Sequence, residues 1–288
     1  MNSPHDSGRA PQSRLGARAQ VRALVVGEDG GSGGRARDGV HVTATTAVAR
    51  DRDTVTATRV LGPHTEFAAL AQTVLRCAPG RSHPRATGDC EEVMFVLSGE
   101  GLLHLGARAY VLEPESGAYL APGESYELEN RGPAPLRLVA VTVPDPEPSA
   151  PEAQARGVVR RLADQERAAA TTEREFRIVA DPASGLRSAT QFVGYIPPLR
   201  APEHFHTYDE VIYVLDGEGV LHVDGERYPL TAGSSIQLPA RTVHCLENTG
   251  DVVMRVVAVF RPAGSPAAAF YPDGSPAYTH PNTTATPQ

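Results

Sequence analysis

The 288-residue sequence predicts an all-β chain built as two tandem copies of one barrel, and three observations carry that expectation. Runs rich in β-branched and aromatic residues, such as VIYVL, VLHV, SIQLP and VVMRVVAVF, alternate with turn segments such as DGEG, DGE and NTGD. The 27 Gly and 25 Pro favour turns and short strands over helices. The chain also repeats itself. EVMFVLSGEGLLHLGARAYVL, beginning at Glu92, aligns with EVIYVLDGEGVLHVDGERYPL, beginning at Glu210. The offset of 118 residues holds without a gap to Pro144 against Pro262, with 22 of 53 positions identical. Strands at this spacing, broken by Gly-rich turns, indicate an antiparallel sandwich or barrel.

In chain order, residues 1–40 are rich in Gly, Ser, Arg and Ala, with LVV at 24–26 as their one apolar cluster, and read as a disordered extension. Acidic residues interrupt this stretch and argue against an Arg-rich transit peptide. Residues 41–146 form the first copy. PDPEPSAP then places four prolines in eight residues, which forbids helix and suits a semi-rigid linker. One short helix is expected at Val158–Ala170 (VVRRLADQERAAA), so the linker spans 147–172. Residues 173–262 form the second copy. A Pro-rich tail, 263–288, is expected to dock Phe270, Tyr271 and Tyr278 on the body.

Composition narrows the function classes. A net charge of −7 and a pI near 5.8 provide no large basic field, which argues against nucleic acid and anionic lipid as partners and leaves a small molecule. No apolar run approaches the roughly 20 residues that span a bilayer, and the N-terminus lacks the apolar core of a secretory signal. Cys77, Cys90 and Cys245 are odd in number and share no CxxC spacing, which argues against a disulfide framework and a thiolate zinc site. A reducing cytoplasm is the expected location.

The chemistry-bearing stretch is EHFHTYDE, residues 203–210. In a strand, His204 and His206 point to one face and Phe205 to the other, so two imidazoles can share one ion. Glu210 follows four residues after His206 and Gly217 closes the segment in the DGEG turn. Downstream, GSSIQLPARTVHCLEN sets Gly233, Pro239, His244 and Asn248 at fixed intervals. These two segments resemble the paired motifs of the cupin superfamily, the first of the form HxHxxxE followed by Gly.

The resemblance implies two jelly-roll-like, double-stranded β-helix barrels. It also implies one divalent metal held by His204, His206, Glu210 and His244. Nitrogen and oxygen ligands of this kind suit Fe, Mn, Ni, Cu or Zn. The sequence departs from the family pattern at Arg241 and Pro198, where glycines are usual. Arg241 is a candidate to grip a substrate carboxylate, against the alternative of a surface ion pair. Tyr208, Tyr213 and Gln237 are candidates for contacts to substrate or to the ligands.

The first copy serves as an internal control. At the ligand positions it has Ala86, Gly88, Glu92 and Tyr126, so one ligand of four survives. His83 is not a convincing replacement, since Pro84 follows it and no second His is near. A structural role is expected for this copy. His104 and His222 occupy the same place in both copies and are therefore assigned to the fold rather than the site. Cys245 should face away from the strand side that carries His244, as a buried inert thiol.

The resemblance places the chain among bicupins with one live site, which is also the layout of ureidoglycine aminohydrolase, although the ligand motif differs. The leading expectation is a metal-dependent oxygenase acting on a small molecule, with Glu210 also serving as general base. The alternatives are redox-neutral chemistry (aminohydrolysis, decarboxylation or isomerisation) and a non-catalytic binding module. Dimerisation through barrel edges is expected by analogy with similar proteins.

Overall fold

A computed structural model describes residues 23–27, 53–147, 156–170 and 173–277. Each half is a barrel of two antiparallel sheets. The larger sheet of the first half runs, in spatial order, Val159–Arg161, Ser116–Leu120, Glu91–Ser98, Leu136–Val143, Ala71–Cys77 and Val55–Leu61. Its smaller sheet is built on Ser125–Asn130, Gly101–Leu105 and Arg108–Leu112. The second half repeats this plan. Ser235–Leu238, Asp209–Asp216, Met254–Arg261, Thr190–Ile196 and Glu175–Ala180 lie side by side, opposite a three-stranded sheet of Glu226–Thr231, Glu218–Val223 and His244–Asn248. The all-β expectation holds, with two jelly-roll barrels.

Strand alternation partitions the side chains into three cores. Met94, Val96, Leu138 and Ala140 point into the first barrel, and Ile212, Val214, Val256 and Ala258 into the second. The intervening residues, Val93, Phe95, Val139 and Val141 from one sheet and Val211, Tyr213, Val257 and Val259 from the other, form one continuous apolar layer between the barrels. The two large sheets therefore pack face to face. Each buried Val or Phe there contributes about 1.5–3 kcal/mol of transfer free energy, which holds the halves together as one body.

Polar contacts set the register of that layer. Glu91, fully buried, accepts hydrogen bonds from Tyr119 Oη at 2.9 Å within its own barrel. Across the junction it accepts from the backbone N–H groups of Arg187 and Ser188, both at 3.0 Å. Arg255 pairs with Asp216 in its own half and reaches Glu115 in the other at 2.5 Å. Arg255, Asp216 and Glu115 border a cleft of about 440 Å³ between the barrels, whose lining includes none of the three clustered histidines.

Two expectations for the flanking segments are corrected. Leu24–Val26 form a strand that pairs antiparallel with Ser235–Leu238 of the second barrel, with Leu24 opposite Gln237 and Val26 opposite Ser235. The apolar cluster inside the supposed disordered extension is thus structural; the rest of residues 1–40 lies outside the described residues. The expected helix at Val158–Ala170 is also absent. Val159–Arg161 is a strand on Ser116–Leu120 of the first barrel, Leu162–Asp164 a single 3-10 turn, and Arg167–Ala169 a strand on Glu175–Ala180. Sheet edges and a buried Leu162 outweigh the helix propensity of VVRRLADQERAAA. The two corrections are equivalent by repeat: the strand preceding each barrel is donated to the edge of the other.

The tail behaves partly as expected. Phe270 exchanges two backbone hydrogen bonds with Phe205, both at 2.9 Å, and the two rings stack at 5.6 Å. Tyr278 lies outside the described residues.

Candidate metal centre

His204, His206 and His244 converge in the interior of the second barrel, with one potential ligand atom from each lying within 4.8 Å of the others. His204 and His244 sit on facing segments tied by reciprocal backbone bonds of 3.0 and 2.8 Å. His206 follows on the same face as His204, and Phe205 points outward onto Phe270. The loop after Pro239 returns to this segment through Arg241 N–H, which donates to His206 O at 2.7 Å. Asp209 Oδ1 accepts from Ala240 N–H at 2.9 Å and braces the same corner.

Hydrogen bonds fix the imidazole orientations. His204 Nδ1 lies 2.8 Å from Pro202 O, His206 Nδ1 2.8 Å from Ala268 O, and His244 Nδ1 2.9 Å from Thr242 O. A carbonyl only accepts, so each Nδ1 carries the proton and each Nε2 presents its lone pair to the common centre. This arrangement suits metal ligation, because the backbone partner sets both tautomer and ring plane. Burial depresses all three imidazoles: His206 falls to about 4, and His204 and His244 also lie below the ordinary value. The neutral form that a cation requires therefore prevails at neutral pH.

Glu210 lines the same cavity, buried on the strand Asp209–Asp216 beside Ile212. It stands outside the tight group of three histidines. Loss of hydration pushes its carboxyl up to about 8. Tyr208 stacks on His206 at 4.6 Å and on Phe260 at 3.9 Å, so its ring fills the space between the imidazole and the barrel wall. Three imidazoles with a neighbouring carboxylate are a nitrogen and oxygen donor set that fits a divalent transition ion. The cavity is small, about 90 Å³, with walls that include Phe176, Phe192, Ile212 and Val256.

The remaining candidates separate by strand face. Tyr213 is three residues from Glu210 and faces the inter-barrel layer. Gln237, opposite Val211 in the ladder, likewise points away from the cavity: it accepts from Thr65 Oγ1 at 2.7 Å and donates to Thr65 O at 3.1 Å. Both are interface residues, and the alternation that grouped the histidines would have placed them there. Arg241 is exposed, and its side chain does not line the cavity. The cation that does is Arg174, which donates from Nη2 to Leu246 O at 2.6 Å. No motif marks Arg174, because it lies on the approach to the first strand of the barrel. Cys245 is buried, and its thiol donates to Ala201 O at 2.9 Å.

The family model described as "Cupin domain" matches residues 73–142 and again 192–260, one match in each barrel. The chain belongs to the cupin superfamily. It is a bicupin, and solved structures share its two-barrel layout. A protein described as glyoxylate-induced from Pseudomonas aeruginosa superposes with a TM-score of 0.68 at 18% identity, covering 90% of this bicupin and 93% of that chain. A mutant of Bacillus subtilis oxalate decarboxylase gives a TM-score of 0.62 at 14% identity, covering 82% and 81%. Among curated proteins, the acireductone dioxygenase of Leptospira biflexa is 42% identical over 60 residues, which is 19% of this bicupin and 33% of that enzyme. This bicupin spans less than half the length of other curated relatives that it matches.

Proposed function

We propose that this bicupin is a metal-dependent enzyme acting on a small molecule in its C-terminal barrel, and that its reaction is an oxygenation. The observation that carries the reading is the convergence of three imidazoles, each with its Nδ1 proton committed to a backbone carbonyl. His204, His206 and His244, joined by Glu210, would hold one divalent transition ion. Such an ion supplies a Lewis acid and, if redox-active, an electron carrier. The protein's part is to shape the cavity, whose apolar walls include Phe176, Phe192 and Val256. Tyr208 keeps His206 in place. Glu210, inside the cavity but apart from the histidine group, is suited to accept and return a substrate proton.

Two measurements test this. Metal analysis of the purified protein should give one transition ion per chain, lost on His204→Ala with His206→Ala. Oxygen consumption should then accompany turnover of a small-molecule substrate panel. Turnover without oxygen would replace oxygenation by redox-neutral chemistry, and a metal-loaded protein that consumes neither substrate nor oxygen would leave a binding role.

A further inference from the structure

Gly194 lies within the strand Thr190–Ile196 and lines the cavity that holds the histidines. Phe192 is on the same face of that strand, Phe176 is opposite Gly194 on one neighbouring strand, and Val256 is opposite it on the other. The Gly194 backbone is not left-handed, and the ladder to Met254–Arg261 passes through it without a bulge, so conformation does not demand a glycine there. A glycine inside a regular strand weakens it and marks a place where something else comes close. The first barrel shows what otherwise fills this space. Val256 and Ala258 correspond to Leu138 and Ala140 by the 118-residue repeat, and their ladder partners equate Gly194 with Leu75, Phe192 with Thr73 and Phe176 with Ala57. Leu75 is buried in the core of its barrel. The barrel with the histidines thus has a glycine in place of that leucine and borders it with two phenylalanines, whose rings meet edge to face at 6.3 Å. A Cβ on Gly194 would stand 3.2 Å from Val256 Cγ2 and 3.5 Å from Phe192 Cε2, so a side chain as large as leucine would displace both.

We infer that the substrate carries a short hydrocarbon stem beside the group that reaches the histidine cluster, that this stem packs near Gly194 against Phe176 and Phe192, and that Phe192 limits its bulk. The charged groups of the lining have partners within the protein: Arg174 bonds Leu246 O and Glu175 bonds Arg167. The apolar wall instead offers surface whose burial against a hydrocarbon is favourable in proportion to area. Phe192 is half-buried, so a stem resting on it would remove further apolar surface from water. At about 90 Å³ the cavity is well below the roughly 300–1,000 Å³ of sites for drug-sized ligands, which keeps the stem short. The inference rests on the cavity being the substrate site of the proposed enzyme.

The test is titration of cobalt-loaded protein with formo-, aceto-, propiono- and cyclohexanecarbohydroxamate, which share one metal-binding head and differ in the stem. The visible spectrum of the cobalt follows binding, and metal content is measured in every sample. Affinity should rise about 4-fold with each carbon added from formo- to propionohydroxamate, then fall about 10-fold or more for the cyclohexyl stem. Phe192→Thr, which installs the residue of the first barrel, should remove that fall, and Phe192→Leu should reduce it. Gly194→Leu should weaken aceto- and propionohydroxamate about 10-fold or more with cobalt content unchanged. The wild-type series alone decides whether the seat exists, should a variant fail to fold. Affinity independent of the stem, equal binding of the propionyl and cyclohexyl stems, or no hydroxamate binding by wild-type protein that holds its cobalt would overturn the inference and leave the metal site standing. So would an undiminished fall in both folded Phe192 variants, or wild-type affinities in Gly194→Leu. A wild-type protein that retains no cobalt would instead overturn the enzyme reading, and with it the seat that rests on that reading.

Discussion

The two barrels share a scaffold and differ in what fills the same place. In the second, His244 and Glu210 face one cavity with His204 and His206. In the first, the corresponding Tyr126 donates from its phenol to the corresponding Glu92 at 3.1 Å, and burial raises both groups. One glutamate thus has a neighbour that can bring a proton, the other a neighbour that can bring a lone pair. Features unrelated to ligation are retained in both. Asn130 donates to Cys77 O and Ala134 O, and Asn248 to Ile196 O and Val252 O, each also accepting from a glycine N–H two residues on. His104 bonds Glu129 and His222 bonds Glu247, both at 2.6 Å. A duplicated domain therefore separates positions that serve the turn and ladder from positions that serve the ion.

Four predictions press on this contrast. The largest effect is expected from His244→Tyr, which gives the second barrel the residue of the first. It should remove stoichiometric metal while leaving the circular dichroism spectrum β-like, as metal analysis of the folded variant would reveal. Next, Glu91→Ala strips the acceptor from three buried donors at the junction, and urea denaturation should register a loss of about 3 kcal/mol or more. The corresponding residue of the second barrel, Asp209, braces a loop instead, and its removal should cost less.

The third concerns pH in chelator-treated protein. The folded state keeps a proton on Glu210 up to about pH 8, which the unfolded chain releases near 4.5, so this group's contribution to stability declines as pH rises between those values. His206 acts in the opposite sense. The unfolded chain takes up a proton near 6.5 that the folded state refuses until about 4, so its contribution declines as pH falls through that window. Glu210→Gln should abolish the alkaline decline and preserve the acid one in urea titrations across pH. Persistence of the alkaline slope in that variant would show that another group is responsible.

The smallest effect concerns Arg241 and Gly123, equivalent by repeat. Both are left-handed, at φ of 67° and 79°. Glycine adopts this conformation without strain, whereas an arginine does not. Arg241→Gly should therefore stabilise the protein by about 0.5–1 kcal/mol, and Gly123→Arg should destabilise it by a similar amount, both measurable by thermal unfolding.

Much of this architecture was legible in the chain. The 118-residue repeat revealed the duplication, period-two alternation put His204 and His206 on one face, and the loss of three ligands from the first copy confined the cluster to the second. What escaped detection depends on contacts between distant segments. Three apolar residues at 24–26 carry too little pattern to announce a strand until the edge that receives them is known. VVRRLADQERAAA reads as helix locally and is extended because two sheet edges claim it. Gln237 and Tyr213 lie near the histidines in sequence, yet their parity relative to Ile236 and Glu210 places them at the interface. Arg174 enters the cavity from outside any motif, and only the folded barrel brings it there.

The partners of the imidazoles differ in reach. Pro202 O and Thr242 O each lie two residues before the histidine they orient, whereas Ala268 O, which orients His206, belongs to the tail 62 residues away. Two of the imidazoles are therefore set by their own strands and the third by a distant segment that packs on Phe205 through Phe270. The orientation of His206, alone among the three, is thus tied to how tightly Phe270 grips Phe205.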